Sequence, residues 1–193
     1  FMKLCNAAAD SRVRIFVDAE ESWLQPAIDL MTTYAMETLN KEQAWVYNTL
    51  QMYRHDRLAY LERQVAEDKC HYGYKLVRGA YMEKERARAT SKGYQDPIQP
   101  DKEATDRDYD SAVTFCLENH NRVAVCIATH NEKSSLLGTQ LVNQYQFPIQ
   151  HISPTHVGRT KELFEQAIEF AKLGGSIDIT TALSATCIAG AFG

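Results

Sequence analysis

Along the chain, short runs rich in β-branched and aromatic residues alternate with longer stretches in which apolar residues return every three or four positions. The first pattern predicts buried strands and the second amphipathic helices. Strands are predicted over 14–18, 45–49, 74–77, 123–128, 150–153 and 176–180. Helices are predicted over 25–40, 52–68, 101–120, 132–145 and 160–173, with a short helical segment before the first strand. Around the first long helix, Leu24, Ile28, Met31, Ala35 and Leu39 fall on one face, as a core-facing helix requires. Gly174-Gly175 after Lys172 reads as a helix stop. The proline-containing stretch 94–100 is the longest predicted loop, and the small apolar tail 182–193 has no clear period.

Alternation of this kind implies βαβ units and a parallel sheet. The expected fold class is therefore α/β: a parallel (β/α) barrel, complete or partial, with about six βα units in a single domain spanning 1–193. A typical eight-fold barrel takes roughly 250 residues, so 193 residues make an eight-fold closure unusually compact.

Charge and composition narrow the function classes. The net charge is -4, and no basic cluster points to nucleic acid or an anionic membrane surface. No apolar run approaches the roughly 20 residues of a spanning helix, and no signal peptide is expected at Phe1. The five cysteines form no Cys-x-x-Cys pair and one is left over from any pairing. That points to free thiols in a reducing compartment, the cytoplasm or, in a eukaryote, the mitochondrial matrix.

In a parallel α/β barrel, chemistry collects where strands end and loops begin. The predicted strand ends carry Asp18-Ala-Glu-Glu21, Gln51, Arg78-Gly-Ala-Tyr81, Thr129-His-Asn131 and Thr155-His156. Lys75 and Arg78 are suited to stabilising phosphates or an anionic ring system. Gly79 and Ala80 would let a flat cofactor approach the backbone. Each residue has a structural alternative. Asp18 serves equally as a cap of the next helix. Lys75 and Arg78 serve equally as ion-pair partners of Glu20 or Glu21, His130 as a core histidine, and Tyr81 as packing. The functional reading rests on their occurrence together at successive strand ends.

These segments resemble the proline dehydrogenase family. The run Phe16-Val-Asp-Ala-Glu-Glu-Ser-Trp-Leu-Gln-Pro-Ala27 is similar to that family's Asp-Ala-Glu-Glu strand. Asn48-Thr-Leu-Gln-Met-Tyr53 resembles its next strand, and Lys75-Leu-Val-Arg-Gly-Ala-Tyr-Met-Glu-Lys-Glu85 resembles its most distinctive signature. The loop that starts at Gly93-Tyr-Gln-Asp-Pro97 and the strand end Ile127-Ala-Thr-His-Asn-Glu132 continue the match in family order. The resemblance implies an FAD enzyme that oxidises L-proline to pyrroline-5-carboxylate by hydride transfer to flavin N5. It implies that Lys75 lies near flavin N5, that Asp18 lies near the reaction centre, and that Tyr81 packs on the proline ring. Gln51, Val77, Arg78, Gly79, Ala80 and Met82 would line the flavin. Thr129, His130 and Asn131 would lie near its ribityl, phosphate or adenine portion. The family's carboxylate clamp, a Tyr-x-x-x-x-Arg-Arg-x-x-Glu helix, has no counterpart, because the sequence contains no Arg-Arg pair. Impaired turnover is the corresponding expectation.

Beyond about Val142 a second resemblance is expected to take over. His151-Ile-Ser-Pro-Thr-His-Val157 and the segment to Thr180 are similar to isoaspartyl dipeptidase, a zinc amidohydrolase on a (β/α)8 barrel. It implies a metal ligand at His156, with His151, His130 and Asp178 unassigned. It also suggests a chimera, with 1–142 from one barrel and 143–193 from another. Three functions follow: an FAD-dependent proline dehydrogenase, a zinc-dependent amidohydrolase, and a non-catalytic barrel scaffold. Exposed strand edges lead to an expected homo-oligomer.

Overall fold

The structure is a computed structural model that describes residues 1–146 and 161–174. Helix α1 (Met2–Asp10) precedes strand β1 (Ile15–Val17), and α2 (Gln25–Leu39) leads to β2 (Val46–Gln51). Then come α3 (Arg57–Ala66), β3 (Tyr72–Val77), α4 (Met82–Lys92), α5 (Lys102–Glu118), β4 (Val123–Ile127), α6 (Glu132–Gln144) and α7 (Lys161–Lys172). The four described strands form one sheet in the order β1-β2-β3-β4, and every pairing is parallel. This is the expected α/β class. The predicted strands 150–153 and 176–180 lie outside the described residues.

Strand side chains alternate between two faces. One face carries Val46, Leu50, Tyr72, Tyr74, Leu76, Val123 and Val125, which pack with Met36, Leu61, Ala112, Val113, Cys116 and Leu117 from the helices. The other face carries Thr49, Gln51, Lys75 and Val77, which turn toward a cleft. The register places Thr49 beside Lys75 and Gln51 beside Val77. Polar residues on this face are what a ligand-facing surface needs and what a core cannot tolerate unpaired.

Two elements differ from the periodicity. Helix α3 starts at Arg57 and not at Met52. The backbone N–H groups of Met52 and Tyr53 still donate to Val77 and Arg78 carbonyls at 2.8 and 2.7 Å, so the β2 ladder outlasts the strand. Arg54 then bridges Ile98, which pins the proline-containing loop against the strand end. Helix α4 is not visible as an apolar stripe, because its sequence is dominated by charge and it buries only Glu85 and Ala89. It stops at Gly93, whose φ of 71° is the left-handed conformation that glycine adopts cheaply.

Asp29 of α2 is buried and ties three elements together. Its carboxylate accepts from Gln25 Nε2 at 2.9 Å, from Asn48 Nδ2 at 2.9 Å and from Arg57 Nη1 at 2.7 Å. Burying a charge this way is tolerable only with such a full set of partners. The network fixes α2 and α3 against β2, whose far end reaches the cleft.

Candidate functional site

At the C-terminal ends of the strands lies a cleft of about 730 Å³. That is within the roughly 300–1,000 Å³ of small-molecule and cofactor sites. It gathers Asp18, Gln51, Lys75, Val77, Arg78, Gly79, Ala80, Tyr81, Thr129, His130 and Asn131, which the sequence singled out from four separate strand ends. Met82 lies apart from them. It lines a neighbouring cleft of about 790 Å³, between the start of α4 and the stretch Ile98 to Lys102. The two clefts share the wall from Arg78 to Tyr81 and also Lys102.

Lys75 projects from the middle of the sheet face. Its Nζ donates to Asp18 Oδ1 at 3.0 Å, with the lysine side chain 17% exposed and the aspartate 72% exposed. The ammonium also lies 5.6 Å from the Phe16 ring centroid. One face of the pair is therefore walled, and its aspartate end opens to solvent. Tyr81 closes the other side: its hydroxyl donates to Glu20 Oε2 at 2.8 Å. That hydrogen bond, with burial second, raises the phenol's pKa above its ordinary value and keeps it protonated. Gln51 joins the two loops. Its Nε2 donates to the Glu20 carbonyl at 2.7 Å, and its Oε1 accepts from the Ala80 N–H at 3.3 Å.

Arg78 is held on several sides. Its Nε donates to Asp106 Oδ1 at 2.7 Å, its Nη1 to Thr129 Oγ1, and its Nη2 to Ser134 Oγ at 3.0 Å. The guanidinium stacks 4.4 Å from the Tyr109 ring centroid. Burial alone would raise the Asp106 pKa. The hydrogen bonds from Lys102 and Arg78 outweigh it and hold the carboxyl below its ordinary value. Asn131 caps α6 by accepting from the Lys133 and Ser134 N–H groups, and its own N–H donates to Thr129 Oγ1 at 3.0 Å. The turn at 129–131 is thus built into the helix start.

Several structural alternatives are corrected by this geometry. Asp18 does not cap α2, whose N-cap position is Leu24. Lys75 pairs with Asp18 and Arg78 with Asp106, while Glu21 takes Lys84 instead. The expectation for Gly79 also changes. Its φ is 143°, and a Cβ there would lie 2.5 Å from the Tyr53 ring. Glycine is required by the backbone and by Tyr53, whatever approaches from the cleft. His156, with His151 and Asp178, lies outside the described residues. Among the described residues no group of three or more His, Cys, Asp or Glu side chains is arranged to hold a metal ion.

Ala19 and Glu20, which the sequence placed at the first strand end without a role in the site, also line the cleft, and sequence reasoning missed Thr49, Lys102 and Ala128 on its wall. Thr49 was legible from strand alternation, since it lies two residues before Gln51 on the same face. Its Oγ1 is buried without a hydrogen-bond partner, as fits a side chain that meets a bound polar group. Cations, amides and this orphaned hydroxyl, set among Val77, Ala80 and Ala128, suit a flat, polar, partly anionic ligand.

A parallel α/β sheet with a cation-bearing cleft at its strand ends defines the class: an α/β protein built to hold a cofactor or small-molecule substrate. The family model described as Proline dehydrogenase matches residues 1–159, and the chain belongs to that family. Over 151 residues it is 43% identical to Proline dehydrogenase 1, mitochondrial, of Caenorhabditis elegans, covering 74% of this chain and 24% of that protein. Over 142 residues it is 39% identical to the Hydroxyproline dehydrogenase of Xenopus laevis, covering 69% of this chain and 30% of that protein. The chain therefore spans about a quarter to a third of the curated relatives it matches. Among solved structures, proline utilization A from Bdellovibrio bacteriovorus, inactivated by N-propargylglycine, superposes with a TM-score of 0.78 at 16% identity, covering 92% of this chain and 19% of that chain. That likeness carries the fold.

The family match runs to residue 159 and crosses the junction expected near Val142. The expected change of family at that point is therefore corrected, and neither the isoaspartyl dipeptidase resemblance nor the chimera gains support. No helix among the described residues is long and apolar enough to cross a membrane.

Proposed function

We propose that the chain is the cleft-bearing part of an FAD-dependent proline dehydrogenase that oxidises L-proline to pyrroline-5-carboxylate. One observation carries the reading. Asp18, Gln51, Lys75, Tyr81 and the turn at 129–131, which the family resemblance selected, converge on one cleft of suitable size. When bound there, FAD would supply the two-electron acceptor, with hydride leaving proline for flavin N5. The residues that would hold it are Gln51, Lys75, Val77, Arg78, Gly79, Ala80, Thr129, His130 and Asn131 along the first cleft, and Met82 in the second.

The chain's own part is orientation and electrostatics. Lys75 brings a positive charge to the centre of the sheet face, where negative charge would develop. Asp18 keeps that ammonium in place and presents a carboxylate at the open end of the pair. Tyr81, kept protonated by Glu20, offers an apolar ring face at the rim. Arg78 is locked by Asp106, Thr129 and Ser134, so it acts as a fixed charge between the clefts. The name of the Caenorhabditis elegans relative places that protein in mitochondria, and we carry that compartment and the small-molecule substrate over to this protein.

The test is spectroscopic. Purified full-length protein containing this segment should be yellow, and its flavin absorbance should bleach when proline is added without oxygen. Colourless protein, or flavin that proline leaves oxidised, overturns the reading. The relative named for hydroxyproline motivates the same titration with hydroxyproline, which decides between the two ring substrates. Sedimentation of the same protein tests the expected oligomer, and a monomer removes that expectation.

A further inference from the structure

Helix α4 carries a carboxylate that the site so far does not use. Glu85 is fully buried, in the first turn of the helix that follows Tyr81. Its Oε1 accepts from the Ser22 N–H at 2.5 Å and its Oε2 from the Ser22 hydroxyl at 2.6 Å. Ser22 belongs to the loop between β1 and α2, the loop that holds Asp18 and Glu20. Both carboxylate oxygens thus grip one residue 63 positions away in sequence. A buried carboxylate is costly unless charge-assisted hydrogen bonds satisfy it, so its place here demands a partner fixed as firmly as itself.

The surroundings show what the grip holds. Next to Glu85, Lys84 pairs with Glu21 of the same loop. Trp23 of that loop lies under Arg88 of α4, 4.2 Å from its ring centroid to the guanidinium carbon. One turn earlier, Tyr81 donates to Glu20. The loop end that bears Asp18 is by contrast open, with that side chain 72% exposed. The loop is therefore anchored from α4, and of these anchors only Glu85 is fully buried.

We propose that Glu85 is a positioning residue. Through Ser22 it clamps the β1–α2 loop onto α4 and so sets Asp18 against Lys75 and Glu20 against Tyr81. The catalytic consequence rests on the proposed proline dehydrogenase reading; the clamp itself does not.

Two measurements on full-length protein separate these. In a Trp45→Phe background, acrylamide quenching reports on Trp23 if other tryptophans of the full protein are likewise replaced. Glu85→Gln and Ser22→Ala should each raise its quenching constant about two-fold as the loop opens locally. Unchanged quenching in both variants overturns the clamp, whatever the protein catalyses. In the flavin-loaded enzyme, each variant should keep its flavin and lose about tenfold in kcat/KM for proline, as expected when reacting groups are misplaced. In a Tyr81→Phe background the same substitutions should cost clearly less than in the wild type, because the link to Glu20 is already cut and only the Asp18 part of the loss remains. Equal losses in both backgrounds, or loss of flavin in step with melting temperature, would show a staple for folding and overturn the positioning role. An inactive wild type would instead overturn the functional reading and leave the quenching result to decide the clamp. Ser22→Ala removes one hydroxyl only and keeps the test open if Glu85→Gln fails to fold.

Discussion

Replacing Lys75 by methionine separates stability from catalysis more cleanly than any other change in the cleft. The lysine is 17% exposed and its partner Asp18 is 72% exposed. A pair with one arm in solvent contributes about 0–1 kcal/mol to folding. Methionine keeps the length and apolar stem of the side chain, so the packing beside Phe16 survives. The expected change in melting temperature is small. Catalysis should respond differently. A positive charge that faces developing negative charge in a walled cleft is worth about 1.5–3 kcal/mol as a charge-assisted interaction. At 1.36 kcal/mol per factor of ten, that is a loss of about 10- to 160-fold in kcat. Lys75→Arg should keep most of the rate, since it keeps the charge. The assay is anaerobic flavin reduction by proline in a stopped-flow instrument, with flavin content and melting temperature measured on the same sample. A variant that holds flavin, melts like wild type and reduces at a rate within two-fold of wild type would refute the electrostatic role of Lys75.

Three further outcomes follow from the geometry. Gly79→Ala should destabilise by about 2–4 kcal/mol in a denaturant titration, because alanine is strained at a φ of 143° and its Cβ would meet the Tyr53 ring at 2.5 Å. Arg57→Met should cost about 3 kcal/mol by the same assay, because it leaves the buried carboxylate of Asp29 without its 2.7 Å cation partner; a loss below about 1 kcal/mol would show that Gln25 and Asn48 suffice. Burial pushes the Tyr53 phenol from 10.0 up to about 12, so its contribution is fully present below pH 10 and is lost as pH rises from 10 toward 12. Tyr53→Phe should flatten the fall in stability over that window, and an unchanged slope would place the alkaline transition elsewhere.

Much of the fold was legible because most elements have a clean period. Helices α2, α5 and α6 and strand β4 lie within two residues of where periodicity places them. The start of α3 was hidden because tertiary hydrogen bonds from Met52 and Tyr53 to Val77 and Arg78 extend the ladder, and apolar spacing does not record that. Helix α4 was hidden because its contacts with the loop after β1 are polar, through Lys84 and Glu85. The cleft was legible at strand ends, where polar residues interrupt apolar runs. Lys102 and Asp106 were not, because Asp106 reaches Arg78 from a helix 28 residues further along the chain and Lys102 acts through Asp106. The backbone demand on Gly79 was hidden for the same reason: the ring that requires glycine belongs to Tyr53 on the neighbouring strand end.

The central claim is that the cleft beneath Asp18, Lys75 and Tyr81 takes a flavin and passes it the electrons of proline. Its most direct test is an anaerobic titration of the purified full-length protein with L-proline, followed by flavin absorbance. The account predicts stoichiometric flavin that bleaches with proline in the wild type and far more slowly in Lys75→Met. Protein that folds yet carries no flavin, or carries flavin that proline does not reduce, would contradict it.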